Sequence, residues 1–305
     1  MSKIQVLLSS YNGEKYIKQQ LESINNQTFP NIDILVRDDG SSDQTLSQLI
    51  EYSQSHDNIS IMKGTNVGVI ESFIQLLNHT DEHSDYFCFC DQDDVWMQDK
   101  IEIAVNALSE YSTVPGMVFT STQLVDADLH PIKIWPESPN RTPAFENALI
   151  ENVAVGATIT FNKAARDLIR SESIHADRLQ MHDWWTYLCI SAFGKVIYIS
   201  QPSIYYRQHG NNVVGGTSTS LEKWKRKWKS YRKHSGSRLL YKQAKEFYCI
   251  YGDKLDKDKL SQLELFLAPR DTLIQRVQYL RKSQLYRQSW IDQKLFQFLV
   301  LIGYI

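Results

Sequence analysis

Over its first 110 residues the chain alternates between two hydrophobic periods. Short apolar runs rich in β-branched and aromatic residues fall at Ile4–Ser9, Ile32–Arg37, Ile59–Lys63 and Tyr86–Cys90, each of strand length. Between them apolar residues return every three or four positions: Ile17, Leu21 and Ile24, then Leu46, Leu49 and Ile50, then Ile70, Phe73, Ile74 and Leu77. A fourth helical segment covers Ile101–Leu108. Strand–helix alternation of this kind predicts an α/β fold, with a mostly parallel, Rossmann-like central sheet flanked by helices. Functional residues of such sheets collect beyond the carboxyl ends of the strands. Ser10–Glu14, Asp38–Asp43 and Asp91–Asp94 are therefore expected together at one edge.

From Gly116 the pattern loosens into strands at Met117–Leu124 and Ala154–Phe161, separated by a Pro-rich connection, Pro131–Pro143. A helix is predicted over Asp183–Phe193 and a strand over Lys195–Ser200. Asn211–Ser220 is rich in Gly, Ser, Thr and Asn and reads as a hinge; beyond it the chain reads as helical. The expected division is an α/β domain over 1–216 and a helical C-terminal region over 217–305.

Charge sharpens that division. The 305 residues are 42% hydrophobic and 22% charged, an ordinary globular composition, and the net charge of -2 hides an asymmetry. Residues 1–216 carry 14 Lys and Arg against 27 Asp and Glu, whereas 217–305 carry 19 against 8. The acidic body suits a metal, and the basic region suits an anionic surface. The four cysteines form no CxxC pair and read as reduced thiols of a cytosolic protein. The N-terminal apolar run reads as a first strand rather than a signal peptide, and no apolar stretch is long enough to span a membrane.

Five clusters carry candidate chemistry. Cys90-Asp91-Gln92-Asp93-Asp94 follows an apolar strand; its carboxylates repel one another unless a cation or donors neutralise them, and oxygen ligands of this kind suit Mg²⁺ or Mn²⁺. A solvated, helix-capping loop would show the same residues. In Arg37-Asp38-Asp39-Gly40-Ser41-Ser42-Asp43, Gly40 permits a tight turn and Asp43 reads as a helix cap, while Asp38 or Asp39 can accept a pyrimidine imide N–H. Ser9–Glu14 offers hydroxyls, an aromatic face and a glycine turn. Asp183, in Met181-His182-Asp183-Trp184-Trp185, is either a helix cap or a general base. Arg207 can meet phosphate, and His209 can ligate a metal. There is no GxGxxG after the first strand, no Gly-x-Ser-x-Gly and no HExxH, and no nucleic-acid motif accompanies the basic region.

The order and spacing of VLLSSYNGEKYI, VRDDGSSDQT, GTNVGV, CDQDDVW, the GAT of Gly156–Thr158 and HDWW resemble family 2 glycosyltransferases of the GT-A fold, over roughly the first 210 residues. DDGSSDxT, DQDDVWxxDK and YRQHGNNVVG are most similar to bacterial α-L-rhamnose α-1,3-L-rhamnosyltransferases of rhamnose-containing cell-wall polysaccharides. The resemblance implies that 1–216 is the catalytic domain of an inverting enzyme dependent on Mn²⁺ or Mg²⁺. It implies nucleotide-sugar binding by Ser9, Tyr11, Glu14, Asp39, Asp91, Gln92 and Arg207, metal binding by Asp93, His209 and Asp91, and Asp183 as the base. The donor would be dTDP-β-L-rhamnose, with a UDP-hexose or UDP-N-acetylhexosamine as the alternative, and the acceptor a lipid-linked glycan. One departure stands out: the family usually has Glu-Asp where this chain has His182-Asp183. The QxxRW motif of processive synthases is absent, so one or a few sugars would be added.

Seven Lys and Arg fall within residues 223–233, with Leu221, Trp224, Trp228 and Tyr231 at helical spacing. This pattern fits interfacial attachment best, against a solvated helix packing its aromatic face on the catalytic domain, and Leu295–Ile305, too short to span, fits a docked helix or an oligomer contact. The expected location is cytoplasmic, peripheral on the inner face of the cell membrane, with a possible homo-oligomer through the C-terminal helices.

Overall fold

A computed structural model describes residues 2–170, 174–208 and 239–305. Strands β1 (Ile4–Ser10), β2 (Ile32–Asp38), β3 (Ile59–Lys63) and β4 (Tyr86–Asp91) lie parallel in the order β3-β2-β1-β4. Helices α1 (Ile17–Asn25), α2 (Thr45–Ser53), α3 (Val69–Asn78) and α4 (Lys100–Leu108) follow one strand or loop each. Period-two alternation sends successive strand residues to opposite cores. Ile4, Val6 and Leu8 of β1, with Cys88 and Cys90 of β4, pack with Ile17, Leu21 and Ile24 of α1. Leu7, Phe87 and Phe89 point the other way and pack with Phe73, Ile74 and Leu77 of α3.

The sheet continues past β4 through β9 (Thr160–Asn162), β6 (Gly116–Thr120) and β10 (Lys195–Ile199), making seven strands among the described residues. Only β9 runs antiparallel to its neighbours β4 and β6. A second, four-stranded sheet has the order β5 (Val95–Trp96), β11 (Ile204–Arg207), β7 (Thr122–Val125), β8 (Pro131–Trp135).

Three segments differ from the sequence expectation. The strand over Met117–Leu124 breaks at Ser121, whose hydroxyl bonds Pro136 O (3.0 Å) and the Tyr198 hydroxyl (2.7 Å), so its halves enter different sheets. The Pro-rich connection begins with β8, antiparallel to β7; proline is tolerated there because the strand is at an edge. Ala154–Phe161 is a 3₁₀ turn (Gly156–Thr158) followed by the short β9, held by Thr158 N–H donating to Val155 O (2.9 Å). A buried turn and a buried strand have the same apolar composition, so periodicity does not separate them. Short helices α5 (Phe145–Ala148) and α6 (Lys163–Ile169) escape the pattern reading.

Helix α7 (His182–Phe193) packs beneath the sheet. The described C-terminal part consists of α8 (Leu239–Tyr251), α9 (Lys257–Leu267), α10 (Leu273–Lys282) and α11 (Trp290–Leu301). Phe247 and Tyr251 of α8 meet Trp185 of α7 at 6.0 and 6.2 Å between ring centroids. Residues 239–305 therefore share one hydrophobic core with the α/β domain. The hinge Asn211–Ser220 and the basic run 221–233 lie outside the described residues. All four cysteines are free thiols.

Candidate active site

The three expected loops do meet at the carboxyl edge. The β1 loop is latched to the β4 loop by Gln92, whose Oε1 accepts the Tyr11 N–H (2.8 Å) and whose Nε2 donates to Tyr11 O (3.0 Å). Gly13 makes the latch possible, since a Cβ there would come within 2.3 Å of Gln92 Oε1. Glu14 accepts the Gln44 N–H (2.8 Å), and Asp43 accepts the Thr45 N–H (2.9 Å) at the start of α2. Gly40 turns the β2 loop at φ +79°, a conformation that suits glycine. Asp38 closes this turn, accepting from Ser41 N–H (3.0 Å).

Asp39 is held differently. Its Oδ1 accepts from Arg37 Nη1 (2.5 Å) and Val67 N–H (2.9 Å), and its Oδ2 from Gly68 N–H (3.0 Å). A carboxylate so held is fixed in place and keeps acceptor capacity for a ligand.

Beneath these loops lies a cleft of about 790 Å³. Ser9, Tyr11, Asp39, Asp91, Gln92, Asp93 and Asp183 all line it. Glu14 and Arg207 do not. Arg207 is buried behind the Asp91–Asp94 loop, donating Nε–H to Asp93 O (2.9 Å), Nη1–H to Ala127 O (2.5 Å) and Nη2–H to Gln19 Oε1 (2.7 Å). Its guanidinium also stacks over the Tyr16 ring at 4.5 Å. Its contacts fix the loop that carries Asp93. His209 lies outside the described residues.

Asp183 sits in the first turn of α7, accepting the Trp184 N–H (2.6 Å). Solvent reaches it through the cleft, but protein surrounds it, and burial pushes its carboxyl up to about 6 against hydrogen bonds that pull it down. Burial likewise pushes Asp91 up to about 7, with added repulsion from Asp93 and Asp183. His182 is stacked on Phe73 (3.8 Å) and edge-on to Phe89 (4.8 Å); burial lowers its imidazole to about 3, so it stays neutral. A glutamate in that ring box would face the same burial with a charge to desolvate, which gives the His182 departure a physical reason.

The cleft wall includes six carboxylates, Asp39, Asp91, Asp93, Glu137, Glu151 and Asp183, and no Lys or Arg among the described residues. A donor set of crowded carboxylates, one of them raised chiefly by burial and further by its acidic neighbours, fits a hard divalent cation. A different triplet, Asp126, Asp128 and His130, brings ligand-type atoms within 4.8 Å of one another. Its bonds are spent inside its own turn, Asp126 accepting the N–H groups of Asp128 and His130 (2.9 Å each).

Several lining residues escaped the sequence reading. Tyr206, Trp135 and the 136–140 segment reach the cleft from the small sheet, and Gln288 and Ser289 from the C-terminal helices. Tyr206 had a signal, since it flanks Arg207; its hydroxyl is raised far above the phenol range by burial and by the nearby carboxylates. Gln288 had none, because only tertiary contact brings it there.

A partly buried carboxylate of raised affinity for protons shares this cleft with an acidic pair at the strand ends, an arrangement that marks a candidate active site of an α/β fold. Residues 5–168, more than half the chain, match the family model described as glycosyl transferase family 2. The chain is 30% identical over 247 residues to the dTDP-rhamnosyl transferase RfbG of Shigella flexneri, covering 74% of this chain and 81% of that one. It is 24% identical to the putative teichuronic acid biosynthesis glycosyltransferase TuaG of Bacillus subtilis, over 84% and 97%. Its fold is similar to S. aureus TarS 1–349 in complex with UDP, with TM-score 0.58, 18% identity and coverage of 99% and 81%. It also resembles the mannosyltransferase PcManGT of Pyrobaculum calidifontis in complex with GDP-Man and Mn²⁺, with TM-score 0.51, 14% identity and coverage of 99% and 86%. The chain belongs to glycosyl transferase family 2 and is a glycosyltransferase of the GT-A fold.

Proposed function

We propose that this glycosyltransferase moves L-rhamnose from dTDP-β-L-rhamnose to a hydroxyl of a lipid-linked glycan in cell-surface polysaccharide synthesis, with inversion at the anomeric carbon. The observation that carries the catalytic reading is Asp183. A carboxylate raised to about 6, lining the same cleft as Asp91 and Asp93, suits a general base.

Asp39, with Ser9 and Tyr11 beside it, would accept from the pyrimidine of the donor. Asp93, with Asp91 and His209, would hold Mn²⁺ or Mg²⁺, which when bound offsets the charge developing on the leaving diphosphate. With six carboxylates and no described Lys or Arg on the wall, an anionic donor would otherwise meet repulsion alone. Asp183 takes the proton of the acceptor hydroxyl. The oxygen then attacks the anomeric carbon from the face opposite the diphosphate, the glycosidic bond to phosphate breaks, and a β-L donor yields an α-L-rhamnoside. Arg207 acts through the loop it braces, and Glu14 through the entry to α2.

Support for rhamnose comes from the relative named dTDP-rhamnosyl transferase. The competing donor is a UDP-sugar, favoured by the TarS complexes with UDP and UDP-GlcNAc, whose likeness is one of fold. Donor hydrolysis and binding across dTDP-L-rhamnose, UDP-glucose, UDP-galactose and UDP-GlcNAc separates them. Turnover selective for dTDP-L-rhamnose upholds the proposal. Selectivity for a UDP-sugar keeps the mechanism and removes rhamnose.

A further inference from the structure

The hairpin of α10 and α11 bears a surface that the fold leaves unused. Fourteen large apolar residues are exposed among the described residues, and six of them belong to this hairpin: Leu273, Ile274, Trp290, Ile291, Phe298 and Ile302. Trp290 is 72% exposed and Ile274 71%, the two highest values of that set. Scattered surface leucines need no explanation, but a concentration of this kind marks an interaction surface.

Its geometry is coherent. Ile291 and Phe298 are spaced by seven residues, so they share one face of α11, with Lys294 between them, and Ile302 follows at its C-cap. Arg276 donates to Leu301 O (3.2 Å), which sets the start of α10 beside the end of α11 and brings Leu273 and Ile274 to the Ile302 end. The hairpin is also basic. Residues 270–305 contain six Lys and Arg against two Asp and Glu, and Arg281, Lys282 and Lys294 are exposed. Tryptophan and aliphatic side chains beside lysine and arginine are the pattern of an interfacial helix. No helix of the described residues is long and apolar enough to cross a membrane.

The surface also runs into the cleft. Gln288 and Ser289 line the cleft, and Trp290 is the next residue. That corner is fixed: Gln288 N–H donates to Glu151 (2.6 Å), its Oε1 accepts the Arg141 N–H (2.8 Å), and its Nε2 donates to Arg141 O (3.0 Å). A surface bound at Trp290 would thus hold the cleft mouth at a set height.

We infer that the α10–α11 hairpin docks on an anionic lipid bilayer, its apolar residues entering the headgroup boundary while Arg281, Lys282 and Lys294 meet lipid phosphates. The purpose of docking rests on the proposed lipid-linked acceptor; the docking itself does not.

The full chain is sedimented with vesicles of phosphatidylcholine alone and of phosphatidylcholine containing about a third phosphatidylglycerol, with donor hydrolysis and the oligomeric state measured in parallel. Wild type is expected on the anionic vesicles only, with binding reduced about tenfold by high salt. Combining Ile274→Ser, Trp290→Ser, Ile291→Ser and Phe298→Ser should weaken that binding at least about tenfold with hydrolysis unchanged. A second variant, Arg281→Glu with Lys282→Glu and Lys294→Glu, tests the charge component without touching the apolar set and should also release the protein. Undiminished binding by both variants overturns the proposal and moves the anchor elsewhere. Loss of a dimer in the apolar variant, with no vesicle binding by wild type, assigns the face to a second copy instead. If wild type binds vesicles but hydrolyses no donor, the functional reading fails and the docking surface stands.

Discussion

A Cβ built on Gly156 would lie 3.2 Å from Asp183 Oδ2 and 3.3 Å from His182 Nε2. The 3₁₀ turn thus presents bare backbone to the proposed base, and it is this close approach, not a special φ, that suits glycine. Gly156→Ala should force the carboxylate off its position and lower kcat about tenfold or more. Donor KM should change little, whereas thermal stability should fall, because the added methyl also presses on His182, which is boxed against Phe73 and Phe89. An unchanged kcat would show that Asp183 tolerates displacement and so is not the base.

Asp183→Asn should reduce transfer by about 10²-fold or more while leaving nucleotide affinity intact. It should also stabilise the fold at neutral pH. Because the native carboxyl is raised to about 6 from 3.8, its ionisation opposes folding once pH exceeds the unfolded value. The gain should be about 1–2 kcal/mol, less than the full conversion because solvent reaches the group. It should be complete above pH about 6 and vanish as pH falls to the ordinary carboxylate range. Thermal melts of both proteins at several pH values check this.

The rate itself should follow the same group in the opposite sense. The base works ionised, so turnover should fall about tenfold per pH unit below the raised Asp183 value of about 6 and level off above it. A pH profile flat down to 4.5 would mean that no carboxylate of raised affinity participates.

Chelation should abolish donor turnover, and Mn²⁺ or Mg²⁺ should restore it. Asp93→Asn should require a higher metal concentration and lose about 10²-fold in rate. Isothermal titration of the nucleotide with and without metal provides a second readout. Full activity in excess chelator would transfer the task of neutralising the diphosphate to side chains alone.

Arg207→Ala should destabilise the fold by roughly 2–4 kcal/mol, because it removes a buried fork that holds three acceptors. Arg207→Lys should recover only part, since an ammonium cannot reproduce the fork. Nucleotide affinity should weaken through the loosened Asp93 loop. If instead the alanine variant melted normally and lost only nucleotide affinity, Arg207 would be a direct phosphate contact.

What the sequence determined by itself was local. Ile4–Ser9, Ile32–Arg37, Ile59–Lys63 and Tyr86–Cys90 carry strand patterns, the intervening helices carry the 3.6-residue repeat, and parallel α/β topology then forces Ser9, Asp39, Asp91 and Asp93 to one edge. Asp183 was legible because its motif starts a helix. Tertiary structure alone decided the rest. Ser121 divides one apolar run between two sheets, because its neighbours on each side find different hydrogen-bond partners. Arg207 looks like a phosphate ligand in sequence, yet packing turns its guanidinium toward backbone carbonyls behind the loop. Gln288 reaches the cleft across more than a hundred residues through Glu151 and Arg141. Periodicity reports which face of an element is buried, but it carries no information on which distant element covers it, and that pairing is what completes the site.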